Sequence, residues 1–568
     1  MANFQETANF IWQVADDILR GAFKPHEYGD VILPFVVLRR LDGVLEPVKD
    51  RVIAIYAQFK DHLDEDGVHP VLLQAAQGRQ FYNTSLYDLR RLAQDANNIE
   101  LNFKAYINGF SKNVRSMIEH FQIDKIVGKL SRNNLLFMLV SKFTEVNLNP
   151  SEVSNHEMGL IFEHVIYKFY EMSNETAGEH YTPREVIRLM VNLLFAEQSE
   201  ELQGKGLVRS VFDPACGTGG MLTIAKAHIQ EQINPNVEIV LYGQEINEQT
   251  YAIAKSDVLI MGENAENIKL GSSFSQDGFV GRQFDYMLSN PPFGVSWKKE
   301  EAFIKNDPQQ RFHAGLPRSS DGALLFLQHK ISKMQARGSR IAIVFNGSPL
   351  FTGDAGSGES DIRKWIIEND WLEAIVALPT DLFYNTGIAT YIWLVTNKKP
   401  AHRVGKVQLI NATGFCKNMR KSLGSKRHYI SAEQIAEISA IYTGFETGPY
   451  CKIYDNDDFG FTKVTVERLL LENGKIVTDS KGQPKADSKL RDYEKIPLKE
   501  DIDAYFEREV KPHVPDAWLD RSKDKVGYEI NFTKYFYQYT PLEPLERIKA
   551  DILRLEAETE GLLQEILT

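Results

Sequence analysis

The stretch LVRSVFDPACGTGG (residues 207–220) narrows the possible folds more than any other part of the chain. Its β-branched and aromatic residues read as a short buried strand, and the turn after it holds Gly217, Gly219 and Gly220. Glycine lets a backbone approach a ligand closely, and a helix starting there offers free N–H groups. The same grammar repeats downstream. EIVLYGQEI ends at Glu245 and Ile246, FDYMLSNPPFG ends in Asn290-Pro291-Pro292-Phe293, and SRIAIVFNGS, WLEAIVALP and TYIWLVTNK follow with helical stretches between them. Strands separated by helices predict an α/β fold with a parallel, doubly wound sheet, and ligands in such sheets sit beyond the carboxyl ends of the strands.

The turn Asp213-Pro214-Ala215-Cys216-Gly217-Thr218-Gly219-Gly220 departs from two phosphate-binding patterns. A dinucleotide fingerprint needs G-x-G-x-x-G, and Leu222 stands where its third glycine belongs; a phosphate-cradling P-loop needs a GK[ST] that is missing. A nucleoside without a pyrophosphate fits better, with an empty strand–helix turn as the alternative. Glu245, at the end of the next strand, is a candidate to accept both hydroxyls of a ribose, with a solvated surface acid as the alternative. Asp277, in GSSFSQDGF, is a candidate reader of an adenine amino group, or a plain loop acid.

Asn290-Pro291-Pro292-Phe293 carries the most specific chemistry. Two consecutive prolines remove two N–H donors and hold the chain extended and rigid, so the Pro291 carbonyl becomes a fixed acceptor. The Asn290 side-chain oxygen is a second acceptor beside it, and Phe293 offers a flat face. Together they suit a planar ring bearing an NH₂ group. Two acceptors on its hydrogens localise the nitrogen lone pair and stabilise the positive charge that develops when it attacks a methyl sulfonium. No metal is required.

The flanking regions differ. Residues 1–150 read as helical: Phe10, Ile11, Val14, Ile18 and Leu19 recur at helical spacing, as do Val114, Met117, Ile118 and Phe121. Residues 151–450 hold the sheet, and 451–568 are mixed and polar, with an exposed hairpin or loop at ENGKIVTDSKGQPKADSKL. The tail ends in a helix whose Leu545, Ile548, Ile552, Leu555, Thr559, Leu562 and Ile566 step by three and four, an a/d heptad stripe with one polar interruption. The basic segment KNMRKSLGSKRH (417–428) contains no acid; it reads as a phosphate-contacting loop or a solvated one. The net charge of −12 nevertheless disfavours strong DNA binding by the chain alone. No apolar run reaches the roughly 18 residues of a membrane span, and the N-terminus lacks a basic segment, so neither membrane insertion nor export is expected. Three separated cysteines, Cys216, Cys416 and Cys451, fit a reducing cytoplasm.

DPACGTGG, then Glu245, then NPPF resembles the amino-methylating S-adenosylmethionine-dependent methyltransferases, in the gamma order of the DNA adenine-N6 class. Gly178-Glu179-His180-Tyr181-Thr182-Pro183-Arg184 resembles the G-x-[FY]-[FY]-TPR segment of one branch, the modification subunits of type I restriction–modification systems, with His180 replacing the usual aromatic. EYGDVILPFVVLRRLD and GYEINFTKYFYQYTPLEPLE resemble the two ends of that family. The resemblance implies a helical N-terminal domain, a Rossmann-like methyltransferase sheet and a helical C-terminal tail. It further implies that residues 179–184 close over S-adenosylmethionine, that the substrate is an adenine flipped out of duplex DNA, and that Phe383-Tyr384 stack on or line that base. It implies partners as well: two modification subunits with one specificity subunit, and a restriction subunit in a larger complex. A protein glutamine methyltransferase shares NPP[FY], but such chains are usually about half this length and lack the TPR segment. A non-catalytic assembly subunit is the other alternative, disfavoured by intact Asn290 and Gly217.

Overall fold

A computed structural model describes residues 3–173, 182–196, 202, 204, 206–384, 386–472, 475–478, 482, 484–537 and 543–567. The chain divides into two compact units, Met1–Ile530 and Asn531–Thr568.

The first 145 residues are helical, as their periodicity requires. Helix Tyr28–Leu45 is apolar almost all round, and nearly every residue in it is buried among the neighbouring helices. An all-round apolar helix is stable only when enclosed on every side. Two arginines inside this helix fasten the chain that leaves the helical region. Arg39 Nε donates to the Val146 carbonyl (2.7 Å), and Arg40 Nη1 donates to the carbonyls of Leu148 and Val153 (both 2.7 Å). Arg40 Nη2 reaches Asn155 Oδ1 at 2.6 Å. The helix Glu248–Ile260 joins the two regions: Ala252 and Ile253 pack in the helical core, while Tyr251, Ala254 and Val258 pack against the sheet.

The strands are β1 (Val208–Asp213), β2 (Glu238–Glu245), β3 (Ile268–Leu270), β4 (Tyr286–Ser289), β5 (Arg340–Asn346), β6 (Leu372–Ala377), β7 (Thr390–Thr396), β8 (Lys406–Asn411), β9 (Lys417–Leu423), β10 (Lys426–Tyr429) and β11 (Cys451–Asp455). Nine of them form one sheet in the order β11-β8-β6-β7-β5-β4-β1-β2-β3. The strands from β3 through β5 are parallel neighbours, as expected. The expectation of a wholly parallel sheet is corrected at β7, which runs antiparallel between β5 and β6, and at β11, antiparallel to β8. The reason lies in the connection: among the described residues no helix separates β6 from β7, and a parallel return would need a crossover. Composition placed a boundary near 450, yet β11 follows it directly and forms the edge of the same sheet.

Beyond the sheet, β12 (Gly460–Glu467) pairs with β15 (Asp492–Pro497) along one edge and with β16 (Trp518–Leu519) and β17 (Lys525–Tyr528) along the other. Between them, β13 (Leu471–Glu472) and β14 (Lys475–Ile476) form the exposed hairpin read from the turn residues. The second unit is dominated by the helix Leu545–Leu567, on which Leu545, Ile548, Ile552 and Leu555 are exposed. Among the described residues no helix is long and apolar enough to cross a membrane.

Replacing Arg40 with alanine leaves two buried carbonyls unpaired. The variant should lose roughly 2–5 kcal/mol of stability, measured by urea denaturation of the full chain; an unchanged midpoint would show that water replaces the guanidinium there.

Candidate functional site

A cavity of about 260 Å³ lies where β1, β2, β3 and β4 end. The turn after β1 supplies Asp213, Pro214, Ala215, Cys216, Gly217, Thr218 and Gly220 to its wall. Glu245 and Ile246 come from the end of β2, and Asn290 and Pro292 from the end of β4. Thr182 lines it too, one residue ahead of the Pro183 that caps helix Arg184–Phe195. Gly217 (φ +53°) and Gly219 (φ +85°) adopt left-handed dihedrals that side chains resist, which lets this turn fold back over the sheet. Gly219 itself faces Ala254 rather than the cavity: a Cβ built on it would stand 3.4 Å from the Ala254 Cβ.

The strand ends are tied to one another. Glu245 Oε2 accepts from the Gly217 N–H and Oε1 from the Asn247 N–H (2.8 Å each). Asp213 Oδ1 accepts from the Ala215 N–H at 2.9 Å. Burial holds the Asp213 carboxyl above the usual carboxylate range, and burial likewise holds the Lys330 amine below its ordinary value, the two groups opposing each other's shifts. Lys330 Nζ donates to Ser289 Oγ (2.8 Å), the residue before Asn290. Asn290 Nδ2 donates to Thr182 Oγ1 at 2.9 Å, while Asn290 Oδ1 is buried and has no hydrogen-bond partner.

Several expected residues stand elsewhere. Asp277 is corrected: it is not at the cavity wall. Its Oδ2 accepts from Lys333 Nζ (2.8 Å) and lies 3.8 Å from Arg311 Nη1, and its Oδ1 accepts from the Phe279 N–H (2.9 Å). The strand β3 ends at Leu270, so the residues that face the cavity are Gly271, Ser272, Ser273 and Phe274, and the chain has turned away by Asp277. Arg184 also points away; a Cβ on Gly159 would meet its Nη2, and its charge acts on buried Asp257. Pro291 is buried. Phe293 is partly buried and meets Phe383 edge-on, with ring centroids 6.4 Å apart. Phe383 is only 2% exposed, and Tyr384 has Lys426 Nζ 5.6 Å from its ring centre. Glu179, His180 and Tyr181 lie outside the described residues.

The sequence reading missed Phe274, Trp297 and Phe326, which give the cavity aromatic walls. Phe274 was within reach, since GSSF starts one residue past the strand. Trp297 and Phe326 arrive from a long connection and a helix with no ligand-type pattern.

Residues 153–469 match the family described as N-6 DNA Methylase, and residues 7–143 match the HsdM N-terminal domain. The Type I restriction enzyme MjaIX methylase subunit of Methanocaldococcus jannaschii is 30% identical over 346 residues, 60% of this chain and 58% of that relative. The Type I restriction enzyme HindI methylase subunit of Haemophilus influenzae is 30% identical over 269 residues, 47% of this chain and 56% of that relative. The chain thus spans less than two thirds of the length of these curated relatives. In fold, the type I restriction-modification system methyltransferase subunit from Streptococcus thermophilus superposes with a TM-score of 0.62 at 20% identity, covering 80% of this chain and 96% of that one. With a family match running over more than half its length, behind a match to the HsdM N-terminal domain, the chain belongs to the N-6 DNA methylase family.

Proposed function

We propose that this chain transfers a methyl group from S-adenosylmethionine to N6 of an adenine flipped out of double-stranded DNA. It acts with a specificity subunit that reads the sequence; two copies join one such subunit, and a restriction subunit joins the larger complex. The observation that carries this reading is Asn290 Oδ1, a buried acceptor without a partner at the wall of the cavity. A buried carbonyl oxygen left unpaired is costly unless a ligand donates to it, and an exocyclic amine is such a donor.

The residues fit the cofactor. The Gly217–Gly219 turn leaves bare backbone beside the cavity, and each Glu245 oxygen, having accepted one N–H, keeps a lone pair for a ribose hydroxyl. When bound, S-adenosylmethionine supplies an electrophilic methyl group on a sulfonium. The chain's own work is at the amine. Asn290 Oδ1 and the Pro291 carbonyl accept the two N6 hydrogens, localise the nitrogen lone pair and stabilise the positive charge that grows on it. Thr182 fixes the Asn290 amide: by accepting from Nδ2 it turns the oxygen, not the nitrogen, toward the target. Phe274, Trp297 and Phe326 exclude water along the walls.

Charge and surface both point to a partner. The chain carries a net −12, and the exposed Leu545, Ile548, Ile552 and Leu555 are costly to leave in water at about 25 cal/mol per Å². A helix of the specificity subunit is the occupant of that stripe.

Five outcomes test the reading. Asn290→Ala should lower methyl incorporation into cognate DNA at least ~100-fold with cofactor binding kept, and Thr182→Val should lower it roughly tenfold, with recovery in Thr182→Ser. Activity near wild type in Asn290→Ala would refute the mechanism. Glu245→Ala should weaken S-adenosylmethionine binding by roughly 1.5–3 kcal/mol in calorimetry, the worth of hydrogen bonds to a charged group; equal affinities would remove Glu245 from the site. The pure chain should show little sequence-specific methylation until the specificity subunit is added, and deleting residues 541–568 should block assembly by light scattering. Strong specific methylation by the chain alone would contradict the partner assignment.

A further inference from the structure

Strands β9 and β10 form a two-stranded sheet of their own, apart from the nine-stranded one. Along this hairpin Lys417, Arg420, Lys421 and Arg427 are exposed, and residues 417–429 include no acid. Lys417 has a loose ion pair with Glu433 at 3.7 Å. Among the described residues, Arg420, Lys421 and Arg427 have no ion pair at all.

The remaining cation anchors the hairpin. Lys426 is 3% exposed; its Nζ binds the Glu185 carboxylate and donates to the Leu382 carbonyl at 2.8 Å. The backbone is fastened to the same loop: the Ser425 N–H donates to the Tyr384 carbonyl (2.9 Å), and the N–H groups of Arg427 and His428 donate to the Asp381 carbonyl (2.9 and 3.1 Å). A merely solvated loop has no need of a buried ion pair and three backbone hydrogen bonds to one neighbouring segment. That segment carries Phe383, which meets Phe293 immediately after Asn290-Pro291-Pro292, and Glu185 lies three residues past Thr182. The hairpin is thus bound directly to the helix that follows Thr182, and indirectly, through the segment that carries Phe383, to the loop that holds Asn290, with its unpaired cations exposed.

We propose that the β9–β10 hairpin grips the phosphate backbone of the DNA flanking the flipped adenine, through Arg420, Lys421 and Arg427. This rests on the reading of the cavity as an adenine methylation site. In a chain with a net charge of −12, these unpaired cations are suited to a polyanion, and their anchorage to the segment whose Phe383 meets Phe293 makes that polyanion the substrate strand. Contacts of this kind fix register and carry no sequence information.

The test uses the complex of the full chain with its specificity subunit, and a duplex containing the cognate site. Binding is measured from low to moderate salt for wild type and for R420A/K421A/R427A. Each phosphate contact contributes about 0.9 to the slope of log K against log salt, so with two copies of the chain in the complex the triple variant should lower that slope by about 5. Cognate and non-cognate duplexes should weaken alike, and S-adenosylmethionine affinity should hold. R420K/K421R/R427K should keep the slope. If the triple variant misfolds, the three single alanine variants carry the test, each lowering the slope by about two. An unchanged slope in variants that still bind the cofactor overturns the proposal. A wild-type complex that does not methylate adenine would instead overturn the reading of the cavity, whatever the hairpin does.

Discussion

Four parallel strands end at one cavity, and each must end there without stranding its last polar groups. The structure meets this by letting neighbouring strand ends satisfy one another. The Cys216 N–H donates to the Gln244 carbonyl (3.0 Å), and the Gly271 N–H to the Glu245 carbonyl (2.9 Å). The Gln244 side chain, fully buried, donates to the carbonyls of Gly271 and Gln276 and accepts from the Gly278 N–H. Ser273 Oγ donates to the Pro214 carbonyl at 2.5 Å. A low-dielectric site makes each unpaired group expensive, so this mutual pairing sets the shape of the walls. The Asn290 oxygen, left out of that pairing, is conspicuous for that reason.

Buried cations do similar work behind the walls. Arg311 holds Asp307 through two nitrogens and donates to the carbonyls of Ser273 (2.9 Å) and Phe274 (2.5 Å). It therefore clamps the loop after β3 to the long connection that follows Phe293. Asp277 balances this cluster through Lys333, which is why a carboxylate that looks available in the sequence is spent on structure. On the other side Lys330 donates to Ser289 at the end of β4, and its charge favours the ionised form of Asp213 at the end of β1.

How much of this was legible follows from periodicity and turn chemistry. The strands β1, β2, β4, β5, β6 and β7 were readable because each is an apolar run bounded by polar or turn residues. The reversed direction of β7 was not, since strand polarity is not written in composition. The short β3 was hidden because Ile268–Leu270 is too brief to alternate. The glycine turn, Glu245 and Asn290 were legible as strand-end residues; the Ser272–Phe274 wall was missed with the strand that precedes it. The basic segment at 417–428 was visible as charge, but its anchor was not: nothing local marks Lys426 as the buried member among exposed neighbours, because its partner Glu185 lies far upstream.

The helix Glu248–Ile260 gives the helical region a part in the chemistry that its own residues do not suggest. Asn247 caps this helix, accepting from the N–H groups of Gln249 and Thr250, and its own N–H goes to Glu245. One face of the helix lies in the core of the first 145 residues and the other against the sheet. Whatever tilts that core would tilt the cap, and with it the carboxylate beneath the glycine turn. A protein trimmed to its sheet would be a different object: Ala252 and Ile253 would meet water, and the carboxylate at the end of β2 would lose the scaffold that aims it. The helical region is in this sense the foundation of the pocket, although it contributes none of the residues lining it.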